Sequence, residues 1–215
     1  VIAAKQAKVK SICWEHTNPR ISTDYKFQKF CRKFGIKRST KNVVITASAL
    51  NYYDKIKENK TKLIYNPVDS KLFEIPSNYD VNSKKIISVG RVCFAKNYEL
   101  LIDVAKDVLN KNTEWSWDVY GDGGNIEVLK EKIKSSSISD RLTMKGNVSN
   151  VYDLYKNYSF IVMTSRFEGF PMVLLEAAAK KLPMISFDIE TGPNEIISNK
   201  DSYRAPPNTA PSCHT

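Results

Sequence analysis

Arg91 and Lys96 stand five positions apart in SVGRVCFAKN (88–97), just after an apolar run that ends at Gly90. Arginine grips a diphosphate through its bidentate fork, and lysine adds a point charge. A glycine at the turn lets the backbone come close to a ligand. Solvated basic residues would give the same spacing in a chain with 33 Lys and Arg. A second stretch, SRFEGFPMVLLEA (165–177), holds two carboxylates, Glu168 and Glu176, eight positions apart. Gly169 permits an unusual turn there, and Pro171 suits a first helical position, where no N–H is needed. A helix N-terminus presents unpaired N–H groups to anions, and a glutamate ahead of it can accept hydrogen bonds from sugar hydroxyls. Glu176 falls among Val173, Leu174, Leu175 and Ala177, a costly setting for a carboxylate. A ribose diol would offer two donors to its two oxygens. The competing readings are helix capping for Glu168 and a surface-facing Glu176.

The elements that must position these groups alternate along the chain. Apolar runs at 84–90, 115–121, 141–146, 160–165 and 182–188 read as strands. Helical patterns at 97–111, 125–136, 151–158, 171–181 and 193–198 separate and follow them. Such alternation predicts crossover connections and an α/β fold with a parallel sheet. Sites in these sheets lie beyond the carboxyl ends of the strands. Upstream, 8–16 and 42–48 read as two further strands, and KLIYNPVDSKLF (62–73) as the end of one domain and a crossing into the next, with Asn66-Pro67-Val68-Asp69 as the connection. The organisation expected is a remainder of a first domain (1–66), a connection (67–83), a main domain (84–201) and a disordered or aberrant tail (202–215).

Composition narrows the class. Four cysteines, Cys13, Cys31, Cys93 and Cys213, show no metal-like spacing and read as reduced thiols of a cytoplasmic protein. With two histidines a His-rich metal site is excluded, and the one acidic pair at DxD-like spacing, Asp188 and Glu190, reads as a loop feature. No metal is expected. The net charge of +10 is concentrated: residues 1–42 hold eleven Lys and Arg against Glu15 and Asp24, and the other 173 residues are nearly balanced. That segment is either a solvated face or a surface for anionic lipid headgroups or a phosphate-bearing acceptor. No nucleic-acid motif accompanies it, so no nucleic-acid partner is expected.

In order along the chain, GR–x4–K, YGDG, the E-x7-E segment and SFDIETGPNEII resemble the nucleotide-sugar-binding half of a glycosyltransferase family 4 enzyme. Upstream, WEHTN and IYNPVD resemble the end of that family's acceptor-side domain and its interdomain connection. The resemblance implies a GT-B type fold: Rossmann-like parallel sheets flanked by helices, incomplete in this chain. It implies retaining sugar transfer from a nucleotide-sugar donor, UDP-linked by expectation, with no cofactor or bound metal. By resemblance, Arg91 and Lys96 would neutralise the diphosphate, and Glu168 with the backbone of Gly169 and Phe170 would hold the transferred sugar. Glu176 would bind the ribose, Gly90 and Pro171 would shape the donor site, and Asn147 and Val148 would lie near the base. His16 matches the family's acceptor-side histidine, although a lone strand-end histidine also serves structure.

The expected partners are the nucleotide-sugar, a sugar or lipid-linked acceptor of surface polysaccharide synthesis, and anionic membrane at the cytoplasmic face. Because both ends depart from the family pattern, the chain is expected to bind nucleotide-sugar but to turn it over poorly. The alternative is a non-catalytic nucleotide-sugar-binding remnant.

Overall fold

The computed structural model describes residues 1–19, 26–56, 59–74, 79–189 and 191–197. The predicted tail at 202–215, Cys213 and Glu190 lie outside the described residues. The helices and strands run α1 (Ile2–Gln6), β1 (Ile12–Glu15), α2 (Lys26–Arg38), β2 (Lys41–Val44), α3 (Ala47–Asp54), β3 (Thr61–Leu63), α4 (Lys71–Glu74) and β4 (Lys85–Val89). They continue through α5 (Tyr98–Lys111), β5 (Ser116–Tyr120), α6 (Ile126–Lys134), β6 (Leu142–Gly146), β7 (Phe160–Met163), α7 (Met172–Ala179), β8 (Met184–Ser186) and α8 (Pro193–Ile197).

Two compact units result. The described part of the first comprises 1–67 with two short returns of chain, Phe167–Phe170 and 191–195. Its sheet is parallel, in the order β1-β2-β3. Ile36, Val44, Ala49 and Tyr53 form its core. Thr46 caps α3 by accepting the N–H of Ala49 at 3.1 Å, which supplies one of the partners a helix start lacks.

The second unit takes 68–166, 171–189 and the end of α8. Its sheet is parallel throughout, in the order β6-β5-β4-β7-β8. Neighbouring residues on one strand serve opposite faces. Ile86, Trp117 and Val162 pack under α5 and α6, whereas Ile87, Tyr120 and Ile161 pack toward α7 and the 151–158 segment. Both faces are therefore buried, which explains the near-continuous apolar strands. Along α5, Tyr98, Leu101, Ile102, Ala105 and Leu109 make the buried stripe, the spacing of an amphipathic helix. The strand order reverses between β4 and β7, and ligand sites of such sheets lie beyond the carboxyl ends of the strands at that point.

Four sequence expectations need correction. The helix expected at 151–158 is a string of turns with one 3-10 turn, Tyr155–Asn157. Eight residues containing Asp153, Asn157 and three tyrosines nucleate a helix poorly. Tyr155 and Tyr158 are instead buried side chains of the core. The stretch from 62, read only as the end of the first domain, is part of a strand, β3, paired with β2 from Thr61 to Leu63. The strands expected at 8–16 and 42–48 are shorter, with Thr46 spent on capping. Pro171 is the N-cap of α7 (φ −70°, ψ 110°), one residue before the helical position expected for it.

Candidate functional site

The loop after β4 carries Gly90, Arg91 and Lys96. It is held by β5: the Gly90 N–H donates to Tyr120 O and the Val92 N–H to Asp122 O, each at 2.9 Å. The approach is close enough to require glycines opposite. A Cβ on Gly121 (φ +138°) would lie 1.9 Å from Gly90 O, and one on Gly123 would lie 2.0 Å from Val92 O. This gives the YGDG segment its physical meaning.

The loop also bonds to the segment after β7. The Arg166 N–H donates to Ala95 O at 2.8 Å, and the Thr164 hydroxyl to Lys96 O at 3.2 Å. The Arg166 guanidinium lies over the Phe94 ring, 4.6 Å from its centroid. Arg91 is exposed and Lys96 half-buried. Two cations thus stand on a loop fixed from both sides, beyond the carboxyl end of β4 where the strand order reverses. Such a loop can meet an anion without reorganising, because its position is already set by backbone bonds.

In the first unit, Gly169 packs on the backbone of His16 so tightly that a Cβ would lie 2.4 Å from His16 O. Phe170 is buried and stacks on Tyr65, with centroids 5.1 Å apart. The Glu168 carbonyl accepts the Thr191 hydroxyl at 2.6 Å. His16 is exposed and stacks on Trp14, centroids 5.1 Å apart. The structure therefore brings His16 together with the Glu168–Phe170 segment, a neighbourhood that sequence spacing could not show.

Glu176 sits on α7 in the second unit, half-buried, and its Oε2 accepts the hydroxyl of Tyr155 at 2.9 Å. Burial pushes the Glu176 carboxyl above its usual range, and the Tyr155 hydrogen bond opposes that shift. Glu176, Val148 and the 149–152 segment, with Asp69 and Lys71, line a cavity of about 470 Å³. That volume falls in the range of small-molecule sites. Asn147 is exposed and lies outside this lining.

Sequence reasoning missed Tyr155, Asp69 and Lys71. No signal in the sequence singled out any of the three: the 151–158 segment also holds Tyr152, Asp153, Lys156, Asn157 and Tyr158. Sequence reasoning also missed Glu195, whose carboxylate accepts the N–H of Ala47 at 2.8 Å and of Ser48 at 3.4 Å at the start of α3. Among the described residues, no group of three or more His, Cys, Asp or Glu is placed to hold a metal ion. No helix among them is long and apolar enough to cross a membrane.

A family profile described as "Glycosyl transferases group 1" matches residues 69–212. The amylovoran biosynthesis glycosyltransferase AmsD of Erwinia amylovora is 30% identical over 212 residues, covering 94% of this chain and 58% of that protein. The lipopolysaccharide 1,6-galactosyltransferase of Escherichia coli (strain K12) is 32% identical over 146 residues, 66% of this chain and 40% of that protein. A crystal structure of an S. aureus TarM variant in complex with Fondaparinux, alpha-GlcNAc-glycerol and UDP superposes with a TM-score of 0.82 at 21% identity. It covers 94% of this chain and 41% of that one. This chain spans about half the length of the curated relatives it matches. The expected fold, Rossmann-like parallel sheets of GT-B type flanked by helices, is the fold found.

Proposed function

The chain belongs to the glycosyl transferases group 1 family, and from that premise we propose that it supplies the donor side of a sugar transfer from a nucleotide-sugar. The observation that carries this reading is the pair of cations, Arg91 and Lys96, on a loop bonded to both β5 and the segment after β7. In the proposed reaction the bond from the sugar's anomeric carbon to the diphosphate oxygen breaks, one from that carbon to the oxygen of an acceptor hydroxyl forms, and the hydroxyl's proton passes to the departing diphosphate. The electron pair stays with the departing diphosphate, and two fixed cations offset the charge that develops there.

The finer assignments are family 4 chemistry, with retention at the anomeric carbon, no bound metal, and UDP as the nucleotide. UDP in the S. aureus neighbour's crystal supports that choice. Glu168, with the Gly169 and Phe170 backbone, is assigned to the transferred sugar, and His16 beside them to the reacting face. Gly90 and Pro171 shape the donor site, Glu176 takes the ribose, and Asn147 and Val148 lie toward the base. The names of the Erwinia and Escherichia relatives support an acceptor in surface polysaccharide synthesis.

Contact with anionic membrane at the cytoplasmic face belongs to the same reading. Helix α2 carries Lys26, Lys29, Lys33, Lys37 and Arg38 with no acidic residue of its own, and its Arg32 is paired with Glu15 at 3.0 Å. Phe27 and Phe30 on it are well exposed. Each basic group near such a surface contributes about 1 kcal/mol.

The test is calorimetry of the purified chain with UDP and with uridine. Binding of UDP well above uridine, reduced about tenfold or more by Arg91→Ala, is the result expected. Equal binding of UDP by the parent and Arg91→Ala would remove the diphosphate assignment.

A further inference from the structure

Tyr155 has no exposed surface, and the core cluster it belongs to is made of Ile87, Ile161, Ala177 and Leu182 with Tyr120 and Tyr158, whose hydroxyls pair with each other at 2.9 Å. A phenylalanine would fill the same space without a polar atom. A hydroxyl in such a core costs free energy unless it finds a partner. Its partner is the carboxylate of Glu176, at 2.9 Å. Tyr155 belongs to a 3-10 turn and Glu176 to α7, 21 residues on. The bond therefore ties the carboxylate to a rigid part of the core rather than to its own helix.

Glu176 is the costlier member of the pair. It lines the cavity formed with Val148, Tyr152, Asp69 and Lys71, where a flexible side chain would have three torsions free to turn it away. A hydroxyl that donates to Oε2 fixes the plane of the carboxylate. An ionised carboxylate has about four acceptor positions, so one donor from the protein leaves room for two from a ligand.

We infer that Tyr155 is a positioning residue, which orients the Glu176 carboxylate so that it accepts both hydroxyls of a ribose diol. This rests on the assignment of Glu176 to the ribose in the proposed function. Tyr155 touches no substrate. Its effect passes through Glu176, so it changes discrimination between ribose and deoxyribose more than it changes binding of the rest of the nucleotide.

The experiment measures affinity for UDP and for 2′-deoxy-UDP in the parent chain and in Tyr155→Phe, below the melting midpoint of each. Tyr155→Met, which also lacks the donor and adapts to the space, is the second variant should the first not fold. The parent is expected to prefer UDP by about tenfold or more, the size of a hydrogen bond to a charged group. In the variants that preference falls to within about threefold, while affinity for 2′-deoxy-UDP stays within about twofold. A merely structural role would weaken both ligands together and leave the ratio unchanged. An unchanged ratio in a folded variant that still binds UDP overturns the positioning role and spares the function. Failure of the parent to bind UDP overturns the function and this inference with it.

Discussion

Gly121 faces the backbone of Gly90 with no room for a single methyl group. A Cβ there would sit 1.9 Å from the Gly90 carbonyl oxygen, far inside van der Waals contact. The Gly90 and Val92 N–H groups bond to Tyr120 and Asp122 on either side of it. Any side chain at 121 must push the cation-bearing loop away from β5.

Gly121→Ala is therefore expected to cost stability on two counts. Overpacking against the backbone costs roughly 1–3 kcal/mol, and a φ of +138°, which residues with a side chain rarely adopt, adds about 1–3 kcal/mol. For a chain of this size each kcal/mol lowers the melting midpoint by about 2–4 °C. The same displacement moves Arg91, so UDP affinity falls with stability. Thermal unfolding and calorimetry read the two effects, and a parental midpoint would show that the loop yields at no cost.

Glu176→Gln separates binding from stability. Burial holds the Glu176 carboxyl above its usual range, so between the ordinary value and the raised one the folded state keeps a proton that the unfolded state has lost. Stability from this group is fullest at pH below the ordinary carboxylate value and falls as pH rises through that window. At neutral pH the charged form weighs against folding. Glutamine keeps an acceptor for the Tyr155 hydroxyl and removes the charge. Its melting midpoint at pH 7 should exceed the parent's, and the difference should vanish in acid. UDP affinity should fall about tenfold. A lower midpoint at pH 7 would mean that the buried charge is compensated by the fold.

The alternation of strands and helices from 84 onward was legible because both faces of the main sheet are buried and α5 and α6 each show one apolar stripe. The loop cations and the E-x7-E carboxylates could be found from residue type beside a strand end. What stayed hidden was carried by distance. Tyr155 lies 21 residues from Glu176, and Gly169 meets His16 across most of the chain. Strand β3 was missed because three residues, one of them Lys62, give too short a pattern to separate from a connecting loop. The turns at 151–158 looked helical because their apolar spacing serves the core, yet their backbone bonds are of the tighter i→i−3 kind.

Lys96 contributes charge rather than shape to the proposed site. Lys96→Met keeps most of the stem that packs near Gly90, where its Cε lies 3.2 Å from a Cβ built at that glycine. UDP affinity is expected to drop about tenfold, with uridine unaffected. Raising salt from about 50 to 200 mM should weaken UDP less in the variant than in the parent, since one screened contact is gone. A salt dependence identical to the parent's would place Lys96 away from the diphosphate.

Glu195 was expected only as part of a supporting motif, yet it closes the N-terminus of α3. Its carboxylate accepts the N–H groups of Ala47 and Ser48, two donors that the first turn of a helix cannot satisfy internally. A negative charge at that end also meets the positive pole of the helix. The Tyr65 hydroxyl reaches the same Oε2 at 3.4 Å, and burial together with Glu195 raises the Tyr65 phenol above its usual range. Thr46 accepts from Ala49, a different donor from the two that Glu195 takes, so it does not replace Glu195. Glu195→Ala should expose the Ala47 and Ser48 amides, at a cost of about 1 kcal/mol. Their hydrogen exchange should quicken about fivefold relative to Tyr53 at the far end of the helix. Equal change along the whole of α3 would mean that Glu195 supports the unit's packing rather than this helix end.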